Sequence, residues 1–125
     1  MIVIFGGAYQ GKLAYALDRF HLTDADVYIC GEDAGMPENK RIIYEIDKWI
    51  LALVRADIDA EKAVRRFMEG NADAIVICND ISSGMVPLDA GLRKWREAVG
   101  RALAELSRAA DEVIRLYCGI PTRIK

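Results

Sequence analysis

Four consecutive apolar residues, Ile2-Val3-Ile4-Phe5, pass directly into Gly6-Gly7-Ala8-Tyr9-Gln10-Gly11-Lys12-Leu13. No other feature constrains the fold as much. A strand that is apolar on every residue needs cover on both faces, as a central strand of a parallel sheet has. The glycines let the backbone turn tightly, and a helical pattern over 12–20 follows, with Ala14, Leu17 and Phe20 on neighbouring faces. Strand, glycine loop and helix in that order make a cradle for an anion. Backbone N–H groups converge, the helix start adds positive potential, and a lysine adds a formal charge. The run fits G-x-x-x-x-G-K, with leucine where serine or threonine is usual. Gly6, Gly7, Ala8, Tyr9, Gln10, Gly11, Lys12 and Leu13 are therefore the candidate phosphate-binding residues, with Lys12 expected at the surface.

Further short β-rich runs alternate with helical patterns. Val27-Tyr28-Ile29-Cys30 reads as a second strand, stopped by Gly31. The longest helical stretch is expected over 37–70, where Ile42, Ile46, Trp49, Ile50, Leu53 and Val54 recur at three- and four-residue steps. It breaks near Asp57-Ile58-Asp59, and either aspartate suits the cap of a second helix. Ala74-Ile75-Val76-Ile77-Cys78 is a third strand, and Asp89 is placed to cap a long helix through Ala110. Val113 to Cys118 forms a fourth strand, and Thr122-Arg123-Ile124 a short last one. The expected architecture is a single α/β domain over residues 1–125. It has three layers and a mainly parallel sheet of about five strands with helices on both faces. The strands at 2–5, 74–78 and 113–118 are expected to be central.

Composition narrows the function classes. Hydrophobic residues make up 53% and charged residues 29%, which suits a folded domain rather than a disordered one. Lysine and arginine number 17 against 19 acidic residues, and they are spread along the chain. Neither nucleic acid nor a membrane surface is an expected partner. No apolar run approaches the length of a membrane-spanning helix and the chain starts on a strand, so the cytoplasm is expected. Cys30, Cys78 and Cys118 are widely spaced, and His21 is the only histidine. No metal site is expected from them, and they read as small packed side chains.

A second candidate site is the stretch Asn79-Asp80-Ile81-Ser82-Ser83-Gly84-Met85-Val86-Pro87. It begins at the carboxyl end of a strand, where open α/β sheets hold their ligands. Asp80 is the candidate catalytic group, able to accept a proton or hold a metal-bound water. Asn79, Ser82 and Ser83 accompany it, and Glu32, after the second strand, lies at the same edge. Tyr9 is placed either to cover a base or to shield backbone, and His21 reads as structural. The Ile42–Val54 stripe with Trp49 reads as core or a subunit contact.

Several of these segments resemble a known family, the bifunctional adenosylcobinamide kinase and adenosylcobinamide-phosphate guanylyltransferase of cobalamin biosynthesis. The resemblance rests on Asn79, Asp80, Gly84, Val86 and Pro87 after a strand, Gly100-Arg101 within a long helix, Ala109 to Val113, Gly119-Ile120 and the final Ile124-Lys125. Ile2 to Lys12 is similar to the family's first strand and phosphate loop. The resemblance implies a P-loop NTPase-like fold, ATP or GTP as ligand, a corrinoid alcohol as phosphate acceptor, and a homo-oligomer.

The departures shape the functional expectation. Tyr9-Gln10 and Leu13 stand where the family has arginine–serine and a serine. Leucine cannot ligate Mg²⁺, so binding is expected to depend little on that ion. The family's guanylyl-carrying histidine lies after the second strand, and residues 32–54 contain none. A further family strand ending in an acidic residue is not evident between Gly31 and Gly70. The expectation is a nucleotide-binding relative whose guanylyl step is lost and whose kinase step would rest on Asp80. The alternative is a non-catalytic binding or regulatory module.

Overall fold

A computed structural model describes residues 1–8, 10–81 and 89–125. Tyr9, Ser82 and Ser83, with Gly84, Val86 and Pro87 of the family pattern, lie outside the described residues. The elements are β1 (Ile2–Gly6), α1 (Lys12–Arg19), β2 (Val27–Ile29), β3 (Ile42–Tyr44), α2 (Ile46–Arg55), α3 (Ala60–Gly70), β4 (Ile75–Asn79), α4 (Ala90–Ala109), β5 (Glu112–Tyr117) and β6 (Ile120–Arg123). They form one sheet in the order β2-β3-β4-β1-β5-β6. Every pair is parallel except β5–β6. The fold is thus the expected P-loop-like α/β arrangement, and β4, β1 and β5 are central as their sequences require.

The sheet has six strands rather than five, and the sixth corrects the sequence reading. Ile42 is not the start of a helical stripe; with Ile43 and Tyr44 it forms β3, between β2 and β4. The helix begins only at Ile46. Glu45 makes the corner in the left-handed region at φ 59°, a conformation that neither glycine nor proline announces. Parallel β2 and β3 are joined by residues 30–41, which carry no helix. The other expected helix boundaries hold. Asp59 and Asp89 cap α3 and α4 by accepting from the Lys62 and Leu92 amides at 3.2 and 3.0 Å.

Alternation along the strands divides the core in two. Val3, Ile43, Val76, Cys78 and Val113 pack under α2, α3 and α4, around Trp49, Phe67 and Leu106. Ile4, Ile42, Ile75, Ile77, Ile114 and Leu116 face the other way, toward α1 and Ala16. Trp49 belongs to the core, 1% exposed, with its indole N–H donating to the Ala34 carbonyl at 3.1 Å. Helices therefore cover both faces, and the parallel strands bring their carboxyl ends to one edge. Among the described residues no helix is long and apolar enough to cross a membrane.

The two outer strands differ. Just past β6, Ile124 N–H donates to the Val113 carbonyl at 2.8 Å, which sets the phase of the ladder. Residues 122 and 124 turn their backbone toward β5, so Pro121 faces the open side. β2, at the other edge, is three residues long with Ile29 exposed.

Candidate functional site

Four parallel strands end together at the candidate site: β1 at Gly6, β4 at Asn79, β3 beside Glu45 and β2 beside Cys30. Gly6 is the point where the phosphate loop leaves β1, and only glycine fits there. A Cβ would lie 2.3 Å from the backbone oxygen of Leu116 in β5. Gly11 caps α1 at φ 82°, again a glycine conformation. Between them, Lys12 is not at the surface as its position in the motif suggests. Its side chain is 5% exposed, and its ammonium group donates to the Gly7 carbonyl at 2.5 Å. Burial lowers its pKa, opposed by the charges of Asp47 and Glu45 and by the thiol of Cys78. No carboxylate forms an ion pair with it among the described residues. Among the described residues that carbonyl is the group bonded to the ammonium, which sits at a helix start, where backbone N–H groups favour negative charge.

Gln10 ties the loop to the turn after the neighbouring strand β5, because its Oε1 accepts from Cys118 N–H at 2.5 Å. Leu13, the residue in the hydroxyl position, packs against the α1-side core. Asp80 is held beside the loop, its backbone N–H donating to the Gly6 carbonyl at 2.8 Å. Glu32 stands further along the edge, lining a cleft of about 760 Å³ with Lys48 and Arg55 from α2. His21, at φ 55°, lies just past the far end of α1, away from this edge.

Two acidic residues escaped the sequence reading because β3 and α2 read as one amphipathic helix. Asp47, 3% exposed in the first turn of α2, accepts from both Asn79 N–H at 3.0 Å and Asn79 Nδ2 at 3.3 Å. Burial raises its pKa and the two Asn79 bonds oppose the rise. The backbone oxygen of Asp47 also accepts from Trp95 Nε1 at 2.8 Å, which fastens α4 to the same corner. Glu45 forms an ion pair with Lys48 at 2.5 Å. The signal that was available is a carboxylate inside an otherwise apolar stripe.

Phosphoryl-transfer chemistry normally brings Mg²⁺ to such an edge, held by protein oxygens and the phosphates. Among the described residues Leu13 offers no oxygen, Glu45 is engaged by Lys48, both Asp47 oxygens accept from Asn79, and Asp80 is the remaining acidic group beside the loop. Nor do the described residues contain a group of three acidic, thiol or imidazole side chains able to hold a metal.

The family model for cobinamide kinase / cobinamide phosphate guanyltransferase (CobU) matches residues 38–124, about seven-tenths of the chain. The chain belongs to that family. The matched span starts beyond the Gly6–Leu13 loop and includes β3, so a strand followed by an acidic residue, Ile42–Tyr44 and Glu45, does lie between Gly31 and Gly70, where the sequence reading found none. No curated protein matches the chain. The family placement carries with it cobalamin biosynthesis and kinase-like nucleotide binding as the setting.

Proposed function

We propose that this CobU-family chain binds the phosphates of ATP or GTP in the 6–13 loop, with little dependence on Mg²⁺, and has lost guanylyl transfer. The carrying observation is Lys12, a buried ammonium group that, among the described residues, donates to a loop carbonyl and forms no ion pair. An incoming phosphate replaces that carbonyl as its partner and meets the backbone N–H groups at the start of α1. Asp80, anchored to Gly6, is the group placed to accept a proton from a corrinoid alcohol attacking the terminal phosphate. Guanylyl transfer through an imidazole has no candidate, because the chain's one histidine lies past the opposite end of α1.

A second reading, a module that binds nucleotide without chemistry, is favoured by the packing of Leu13 and the pairing of Glu45 with Lys48. Calorimetric titration with ATP and GTP, with and without Mg²⁺, tests the binding. Lys12→Ala should remove binding while the chain stays folded; unchanged affinity would reduce the loop to a simple turn. Leu13→Ser should add a Mg²⁺ response, and strong Mg²⁺ dependence in the unaltered protein would defeat the reading. Transfer of labelled γ-phosphate to cobinamide separates the enzyme from the module.

A further inference from the structure

The β5–β6 hairpin rises beside the phosphate loop and is bonded to it, yet its own surface is unused. β5 and β6 pair antiparallel, with Tyr117 directly opposite Ile120 and Arg115 opposite Thr122. Tyr117 is 65% exposed and Ile120 66%, an aromatic and a branched aliphatic side by side on one face. The Arg115 guanidinium lies 5.9 Å from the centre of the Tyr117 ring. Cys118 and Gly119, at φ 52° and 74°, form the two-residue turn.

Two contacts fasten this turn to the loop. The side chain of Gln10 accepts from the Cys118 amide, and Gly6 lies so close to the Leu116 carbonyl that no larger residue fits. The hairpin turn therefore stands next to the loop, and the Tyr117–Ile120 pair is an exposed apolar surface beside it, on the sheet face opposite Leu116. Aromatic rings and guanidinium planes are the surfaces on which nucleobases stack.

We infer that the hairpin is the seat of the nucleoside base: Tyr117 and Ile120, braced by Arg115, carry the flat ring of a nucleotide whose phosphates occupy the 6–13 loop. The inference rests on the nucleotide reading of that loop. Stacking is tolerant of base identity, so the plate separates nucleotides from bare phosphates and purines from pyrimidines more than ATP from GTP.

Titration of the full chain with ATP, UTP and inorganic tripolyphosphate tests this. ATP should bind about tenfold more tightly than tripolyphosphate, the usual scale of a stacked base, with UTP between them. Tyr117→Ala should bring ATP down to the tripolyphosphate level while tripolyphosphate affinity stays put, and Tyr117→Phe should restore the difference. Equal affinity of the unaltered protein for ATP and tripolyphosphate would overturn the base seat and leave the phosphate loop standing. Tyr117→Ala binding ATP as the unaltered protein does would also overturn it. If neither ligand binds and Lys12→Ala changes nothing, the nucleotide reading itself has failed and takes the base seat with it.

Discussion

Two corners of opposite charge flank β4 at the ligand edge, and they are built on different principles. The cationic corner, from Gly6 to Lys12, owes its shape to missing atoms: a glycine against the Leu116 carbonyl and a second glycine in the left-handed cap of α1. The anionic corner, from Glu45 to Asp47, owes its shape to atoms present, a buried carboxylate bonded twice to Asn79 and a backbone bond to Trp95. A cradle for a variable ligand needs open backbone, whereas a brace between a strand and two helices needs side-chain bonds. One corner leaves its backbone open; the other holds β4 and its neighbour Asp80 in place.

The corners should therefore fail in opposite ways. Adding one methyl group at the first, Gly6→Ala, forces β1 and β5 apart and should cost about 3 kcal/mol of stability, read from the urea midpoint. A midpoint that does not move would mean the backbone there yields easily. Removing atoms at the second, Asp47→Ala, leaves the buried Asn79 N–H unpaired and should cost about 2 kcal/mol. Asp47→Asn, which keeps one acceptor for that N–H, should cost less. Equal losses for both variants would show that the acceptor is unimportant.

The smallest effects are in pH, and there the corners have opposite slopes. Asp47 has its pKa raised by burial, so the native chain holds that proton more tightly than the unfolded one. Its contribution to stability declines as pH rises from the unfolded carboxylate value toward the raised one. Lys12 has its pKa lowered, so the native chain holds that proton less tightly, and stability rises with pH up to the ordinary lysine value of 10.5. Denaturation profiles of Asp47→Asn and Lys12→Ala against the unaltered protein isolate the two slopes. Phosphate affinity should fall on the alkaline side earlier than for an exposed lysine. A flat affinity through pH 10 would show that the Lys12 charge is not used.

Much of this was legible in the sequence, because it depends on local pattern. Continuous apolar runs gave away β1, β4 and β5, and a glycine-rich turn after the first gave away the loop. What stayed hidden depends on remote partners. Three residues, Ile42 to Tyr44, are a strand only because β2 and β4 lie on either side. Their spacing to Ile46, Trp49 and Ile50 happens to match a helical period. With β3 misread, both the corner at Glu45 and the first turn of α2 at Asp47 were absorbed into one long helix. Lys12 was placed at the right position in the motif, but its burial depends on how α1 meets the sheet. The Tyr117–Ile120 plate is a cross-strand pair formed only when the hairpin closes.

Pro121 has a consequence for crowding of this chain with itself. A strand edge recruits further strands only if its outward amides can donate, and the β6 edge lacks one where a ladder would need it. The β6 edge is thus blunted by one missing donor, while the β2 edge is open over three residues. Pairing of copies edge to edge is therefore less hindered β2 to β2 than through β6, and a β2–β2 pair closes on itself with two-fold symmetry.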